Sequence, residues 1–423
     1  MKNTVIVCGV LIVLAALGLT DVVAGGKEPA ETGTSLPMGN WGIASRYPGD
    51  EGIENDSAVV FTENFEKSTV SDLSQRWTNI LNNKFAVLSI VRDTTAPSEG
   101  KYCLRMTGTK GSNTGGHLFK LLDEGYEQLY ARFYYKFAED APYVHHFVSM
   151  SGKINSPPYP MGGAGSRPAG DYSFGSAIDL VRRNIYKSSE IIDPPGGWSF
   201  YSYWCEMQSW QTPEGVPDGV QPNPYYGNTF SPLEPLQAKR GEWQCVEFMI
   251  KLNNPEGRDG EQAFWIDGKL IERYSPGTIE GTWYRDRFRR SGVLNADPQP
   301  FEGFRWRTTE NLKINIFKLQ YYLASVFEND YTPEDPDLPY NDDIARVCFD
   351  NVVLATEYIG PISTGETGCD FNNDGRTTVA DVIELLLMRR QDPQDLRADY
   401  NGDGQAAMSD VIALLIDILI GNC

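Results

Sequence analysis

Gln262-Ala-Phe-Trp-Ile-Asp-Gly-Lys-Leu-Ile271 is the stretch that decides the fold class. Two apolar runs meet at Asp267-Gly268, a dipeptide suited to a two-residue hairpin turn. The same texture recurs to either side. Gln128-Leu-Tyr-Ala-Arg-Phe-Tyr-Tyr-Lys-Phe137 alternates in its second half. Trp198-Ser-Phe-Tyr-Ser-Tyr-Trp-Cys-Glu-Met207 and Trp243-Gln-Cys-Val-Glu-Phe-Met-Ile-Lys-Leu252 are aromatic-rich strands of the same kind, and Leu312 to Leu323 and Val347 to Leu354 close the series. Residues 59–360 are therefore expected to form one mainly β domain, most simply two packed antiparallel sheets.

The chain has 423 residues and a formal net charge of −20, which argues against nucleic acid or an anionic membrane surface as partner. An anionic substrate would have to meet a local basic cleft. Lys2 precedes an apolar run from Val5 to Leu19, then Val22-Val23-Ala24-Gly25-Gly26. This pattern predicts a secretory signal peptide over residues 1–25 and a secreted or cell-surface protein. An uncleaved membrane anchor is the alternative, but the run falls short of the ~20 residues a spanning helix needs. No later segment is apolar enough to span. Residues 26–58, rich in Gly, Pro, Thr and Ser at their start, read as an extended, loosely attached lead-in. Seven cysteines occur; outside the signal they are Cys103, Cys205, Cys245, Cys348, Cys369 and Cys423.

After a turn-rich linker over 361–368 the period becomes helical. Asp370-Phe-Asn-Asn-Asp-Gly-Arg-Thr-Thr-Val-Ala-Asp381 and Asp399-Tyr-Asn-Gly-Asp-Gly-Gln-Ala-Ala-Met-Ser-Asp410 are two twelve-residue loops of one pattern. Side-chain oxygens stand at positions 1, 3, 5 and 12: Asp370, Asn372, Asp374 and Asp381 in the first loop, and Asp399, Asn401, Asp403 and Asp410 in the second. The backbone carbonyls of Arg376 and Gln405 complete a calcium ligand set, and Gly375 and Gly404 allow the bend. Helices with apolar stripes follow both loops. The ends of such a duplicated module should meet, which makes Cys369 and Cys423 the expected disulfide. The paired loops, with Asp at position 12, resemble type I dockerins over residues 369–423. That resemblance implies two calcium ions and a cohesin-type partner on a scaffold or cell surface. In the family, loop positions 10 and 11 help choose the partner; here they are Val379-Ala380 and Met408-Ser409.

The large domain shows no nucleophile elbow, phosphate loop or metal cluster in its sequence. Gly115-Gly-His117, His146-Phe-Val-Ser-Met-Ser-Gly-Lys-Ile154, Gly162-Gly-Ala-Gly165, Gly241-Glu-Trp243, Asn253-Asn-Pro-Glu-Gly257, Trp265-Ile-Asp-Gly268 and Phe349-Asp-Asn-Val-Val-Leu354 occur in an order similar to concanavalin-like jelly-roll polysaccharide lyases, notably those cutting alginate or glucuronan. The resemblance implies β-elimination at a uronate: a cation or donor neutralises the carboxylate, and a Tyr or His handles the proton. Catalytic candidates on that footing are His146, Tyr201, Tyr203, Lys153 and Arg182. Candidates for substrate binding are Arg183, Gln208 and the stacking rings Trp198 and Trp204, with Trp210 beside them. Alternation puts Tyr201 and Tyr203 on one face of their strand, and Phe200, Ser202 and Trp204 on the other. Two further readings stand next to the lyase. One is a non-catalytic carbohydrate-binding or cell-surface module. The other is a glycoside hydrolase using Glu206 and Glu247, which in a retaining enzyme must lie ~5.5 Å apart.

Overall fold

The computed structural model describes residues 36–423 apart from 41, 67–68, 82–86, 98–99, 156–162, 188–189, 291–296, 330, 364–368, 373–375, 392–397, 399, 401–405 and 421–423. The expected signal peptide, Cys8, most of the linker, Asp374, Asp399, Asn401, Asp403, Gln405 and Cys423 lie outside the described residues.

The alternating segments become strands. The first six are β1 (Val59–Glu63), β2 (Asn79–Leu81), β3 (Leu88–Arg92), β4 (Tyr102–Thr109), β5 (Gly115–Tyr126) and β6 (Gln128–Phe137). Next come β7 (Val148–Lys153), β8 (Ser173–Val181), β9 (Gly197–Tyr203), β10 (Asn228–Phe230), β11 (Gln244–Lys251) and β12 (Glu261–Ile266). The last are β13 (Lys269–Tyr274), β14 (Glu280–Tyr284), β15 (Arg287–Arg290), β16 (Gln299–Pro300), β17 (Ile314–Tyr322) and, after the short helix α1 (Ala324–Glu328), β18 (Ile344–Ala355). The first sheet has the order β13-β12-β11-β6-β18-β4-β3, with β1 also on β18. The second runs β16-β14-β15-β10-β9-β8-β7-β17-β5-β2. All pairs are antiparallel except β10 with β15. The hairpin at Asp267-Gly268 is present, with φ of 49° and 77° at its two central residues, the left-handed pair that a type I′ turn requires.

Between the sheets lies one core rich in aromatic rings, among them Phe133, Tyr135, Phe147, Phe200, Phe264 and Phe317. Alternation along β9 sends Trp198, Phe200 and, just past its end, Trp204 into that core. Trp198 and Trp204 are each 1% exposed, and their rings lie 5.4 Å from Tyr135 and 5.2 Å from Phe304. The expectation that Trp198 and Trp204 stack on sugar is therefore corrected: their faces are spent on core packing. A polar link across the core joins Gln262 of β12 to Ser176 and Ser202 at 2.9 and 3.0 Å.

From Leu36 onward the lead-in is not loose. Ile43, Ala44 and Ile53 pack with Tyr130, Met249, Trp265 and Tyr358 on the outer face of the first sheet. The amides of Ile43 and Ala44 donate to the carbonyls of Tyr358 and Ile359 at 3.0 and 2.8 Å. Beneath them Arg132, fully buried, forms a two-pronged ion pair with Asp50. At the far end of the chain, α2 (Val379–Gln391) and α3 (Met408–Ile420) share a small core of Phe371, Val382, Leu385, Val411 and Leu414. Cys369 is disulfide-bonded; Cys103, Cys205, Cys245 and Cys348 are free. Among the described residues no helix is long and apolar enough to cross a membrane.

Removing one member of a buried ion pair strands the other in a medium that cannot solvate it. Asp50→Ala is expected to cost ~3–5 kcal/mol of stability, read as a fall in the urea unfolding midpoint. A midpoint equal to that of the unaltered chain would show that the pair contributes nothing.

Candidate functional site

The outward face of the second sheet carries a trough whose floor is set by side-chain size. Register aligns Lys318 of β17 with Ser149 of β7, Ser149 with Ala177 of β8, and Ala177 with Tyr201 of β9. The adjacent row runs Ile316, Ser151, Gly175, Tyr203. Small residues on the two central strands leave a depression between the long side chains of β17 and β9. Three strand spacings separate those walls, about 14 Å between backbones.

Above the floor, His146 forms an isolated bridge to Tyr322, just before β7. Its Nδ1 lies 2.8 Å from the Asp179 carboxylate of β8, which is 4% exposed. With Nδ1–H donating to Asp179, the Nε2 lone pair is left available as a proton acceptor. The His146 ring is 5.1 Å from Tyr201 and 6.1 Å, nearly parallel, from Tyr322. Tyr201 and Tyr203 meet edge to face at 5.6 Å. Gly227 makes this possible: a Cβ there would come within 2.4 Å of the Tyr201 ring.

Electrostatics divide the roles. Burial, and then the neighbouring Tyr203, hold the Tyr201 hydroxyl far above its ordinary pKa, so it keeps its proton at neutral pH. Burial likewise raises Tyr203. Burial alone brings Lys318 down to about 8, and no carboxylate among the described residues pairs with it. Burial and then the charge of Lys318 take His117, two residues along the next strand, down to about 3. His145 is lowered to about 4, mainly by burial.

Of the expected residues, the structure brings His146, Tyr201 and Tyr203 together. Lys153 shares the outward face but stands at the other end of β7, over the ring of Tyr172 at 5.7 Å. Arg182 lies past the end of β8, stacked on Tyr331 at 4.2 Å and Tyr143 at 5.3 Å. Arg183, the next residue, pairs through its backbone with Ile191. Gln208 bonds locally to the carbonyl of Glu206 at 3.2 Å. Trp210 stays half-buried beside Tyr226. The hydrolase pair is not a pair: Glu206 is bound to Arg258 at 2.6 and 3.0 Å, whereas Glu247 is buried in the first sheet beneath the amides of Ile359 and Gly360, both at 2.8 Å. Sequence reasoning missed Lys318, Asp179 and Tyr322. The signal was present in β17, where Phe317, Leu319 and Tyr321 alternate with Lys318, Gln320 and Tyr322.

In the helical tail, Asp381 and Asp410 are fully buried. Asp381 accepts from the amides of Thr378 and Asn372 at 2.6 and 3.1 Å, and Asp410 from Ala407 at 2.7 Å. The bonds to Thr378 and Ala407 are the back-bonds of a capping box, one to each helix. Among the described residues no three His, Cys, Asp or Glu side chains gather as a metal site.

No protein-family model matches the chain, and no curated protein matches it. Among solved structures, a marine alginate lyase from Aplysia kurodai aligns with TM-score 0.43 at 12% identity, over 71% of this chain and 100% of that one. An alginate lyase from Chlorella virus gives 0.42 at 13% identity, over 71% and 100%. An endo-β-1,4-glucuronan lyase from the fungus Trichoderma reesei gives 0.37 at 14%, over 72% and 99%. Similarity of this degree says nothing of this chain's chemistry, which rests on the residues of its own trough.

Lys318 carries a testable cost. Its folded pKa of about 8 lies below the ordinary 10.5, so between those values the unfolded chain holds the extra proton. Stability should therefore rise with pH across that window, by on the order of 3 kcal/mol for this group. Lys318→Met should flatten that rise and raise the melting temperature at neutral pH. A variant less stable than the parent at pH 7 would refute the assignment.

Proposed function

We propose that the trough is the active site of a polysaccharide lyase acting on a uronate-containing chain. The observation that carries this reading is the row Lys318–Ser149–Ala177–Tyr201 with His146 above it. A pyranose ring lying on the Ser149 and Ala177 floor has a cation on one side and two proton-handling groups on the other. Lys318 neutralises the carboxylate, which makes the carbanion formed next to it tolerable. His146 Nε2, oriented by Asp179, removes the proton from the carbon bearing the carboxylate. The electron pair forms the new C=C bond as the C–O bond to the next sugar breaks. Tyr201 gives its proton to the departing oxygen. Lys153, at the end of the trough, serves a more distant sugar. Arg182, Arg183 and Gln208 take no part in this arrangement.

The tail is proposed to be a calcium-dependent docking module of a secreted protein. Asp381 is a buried carboxylate whose bonds come from backbone amides, and a hard divalent cation suits such a group. The residues fit: Asp370, Asn372, Asp381 and the Arg376 carbonyl in the first loop, and Asp410 in the second, are described members of the two ligand sets. When bound, the ions supply cross-links between loop and helix. Val379, Ile383 and Leu387 form an exposed apolar stripe on α2, as do Ile412, Ile416 and Leu419 on α3. These stripes support a protein partner of cohesin type.

Incubation with polyuronates is expected to raise ultraviolet absorbance as unsaturated ends appear. His146→Gln and Tyr201→Phe should each lower kcat by ~10²–10⁴. Release of reducing ends without absorbance would point to hydrolysis, and binding without release to a non-catalytic module. For the tail, calorimetry on the chelator-treated chain should show uptake of two calcium ions with a gain of helical circular dichroism. No uptake would end the calcium reading.

A further inference from the structure

The floor row does not stop at Tyr201. It continues through Thr229 of β10 to Arg287 of β15. Two residues along β15, on the same face, stands Arg289, opposite Thr282 of β14. Ser231, one residue past β10, follows Thr229 on this face by alternation. Arg289 is 8% exposed and Ser231 6%. Arg289 Nε, Ser231 Oγ and Thr282 Oγ1 are all buried without a hydrogen-bond partner.

Three orphaned donors side by side on adjacent strands are a standing cost, because most buried polar groups in folded proteins are paired. Charge sharpens the point. Arg290, on the opposite face, has Glu272 at 2.9 Å, and Arg287 has Asp286 at 3.8 Å. No carboxylate among the described residues pairs with Arg289, which rests on the ring of Tyr284 at 4.2 Å. Yet the chain has 57 acidic residues against 37 basic ones.

We propose that Arg287 and Arg289, with the hydroxyls of Ser231 and Thr282, form a carboxylate-binding subsite of the trough for an anionic polysaccharide. This rests on the trough being the polysaccharide site. Three to four strand spacings, about 14–19 Å, separate the Ala177 and Ser149 floor from Arg287, so the subsite holds a sugar about three rings from the one over the floor. A guanidinium and two hydroxyls match the acceptor lone pairs of a planar carboxylate, and neutral chains leave them unmet. The polysaccharide thus crosses the strands, with acid groups read at both ends of the row.

The test is calorimetric binding of a polyuronate disaccharide and octasaccharide, and of a neutral octasaccharide, to the full chain in a His146→Ala background. Arg289→Gln is expected to weaken the acidic octasaccharide about tenfold or more, leave the disaccharide unchanged, and be largely rescued by Arg289→Lys. Arg287→Ala should act in the same direction. Unaltered octasaccharide affinity in Arg289→Gln, equal loss for both lengths, or equal affinity for the neutral octasaccharide would overturn the subsite. Thermal melts of each variant exclude unfolding as the cause. The lyase reading fails separately, through absence of unsaturated product from the parent chain. Arg289-dependent binding without such product leaves the subsite standing and removes only the elimination.

Discussion

A strand in a sandwich has two faces, and whatever it commits to the core fixes the side on which its other residues emerge. In β9 the large apolar rings Trp198 and Phe200 go inward, so Tyr201 and Tyr203 must come out. In β17, Phe317, Leu319 and Tyr321 go inward, so Lys318, Gln320 and Tyr322 come out. The trough follows from that constraint and from the small residues of the two strands between. It is a site made by subtraction: hydroxymethyl, methyl and hydrogen at Ser149, Ala177 and Gly175, where neighbouring strands bear long chains.

This division explains what was legible in the sequence. The Asp-Gly hairpin, the strand segments and the opposite facing of Tyr201 and Phe200 depend on residues close in the chain, and all were readable. Which face met solvent was not, because that depends on the partner sheet. Lys318 and Tyr201 are 117 positions apart and face each other across a floor only through three successive registers and two intervening strands. Asp179 stands in an otherwise apolar strand, and only the fold brings His146, 33 positions away, beside it. Trp198 and Trp204 misled because an aromatic residue satisfies a core and a sugar equally well in composition. The Glu206 and Glu247 pairing failed for the same kind of reason: each carboxylate already has a structural partner.

The electrostatic layout departs from the chain's overall charge. An acidic protein places uncompensated cations where two of its strands open outward, at Lys318 and Arg289. The other buried arginines among the described residues, Arg132 and Arg307, are matched by Asp50 and Glu127. Selective neglect of a counter-ion at these positions is what separates a candidate binding surface from the framework around it.

The position of β18 has a consequence for how the molecule comes into being. This strand, near the C-terminal limit of the sandwich, sits in the middle of the first sheet, with β6 on one side and β4 and β1 on the other. Without it, the half carrying β11, β12 and β13 has no shared neighbour with the half carrying β3 and β4. A ribosome must therefore release about 355 residues before the sheet can close, and contacts so remote in sequence form slowly. Until then the sheet exists only as two separate edges, β6-β11-β12-β13 and β3-β4, each with an unpaired strand where β18 will enter.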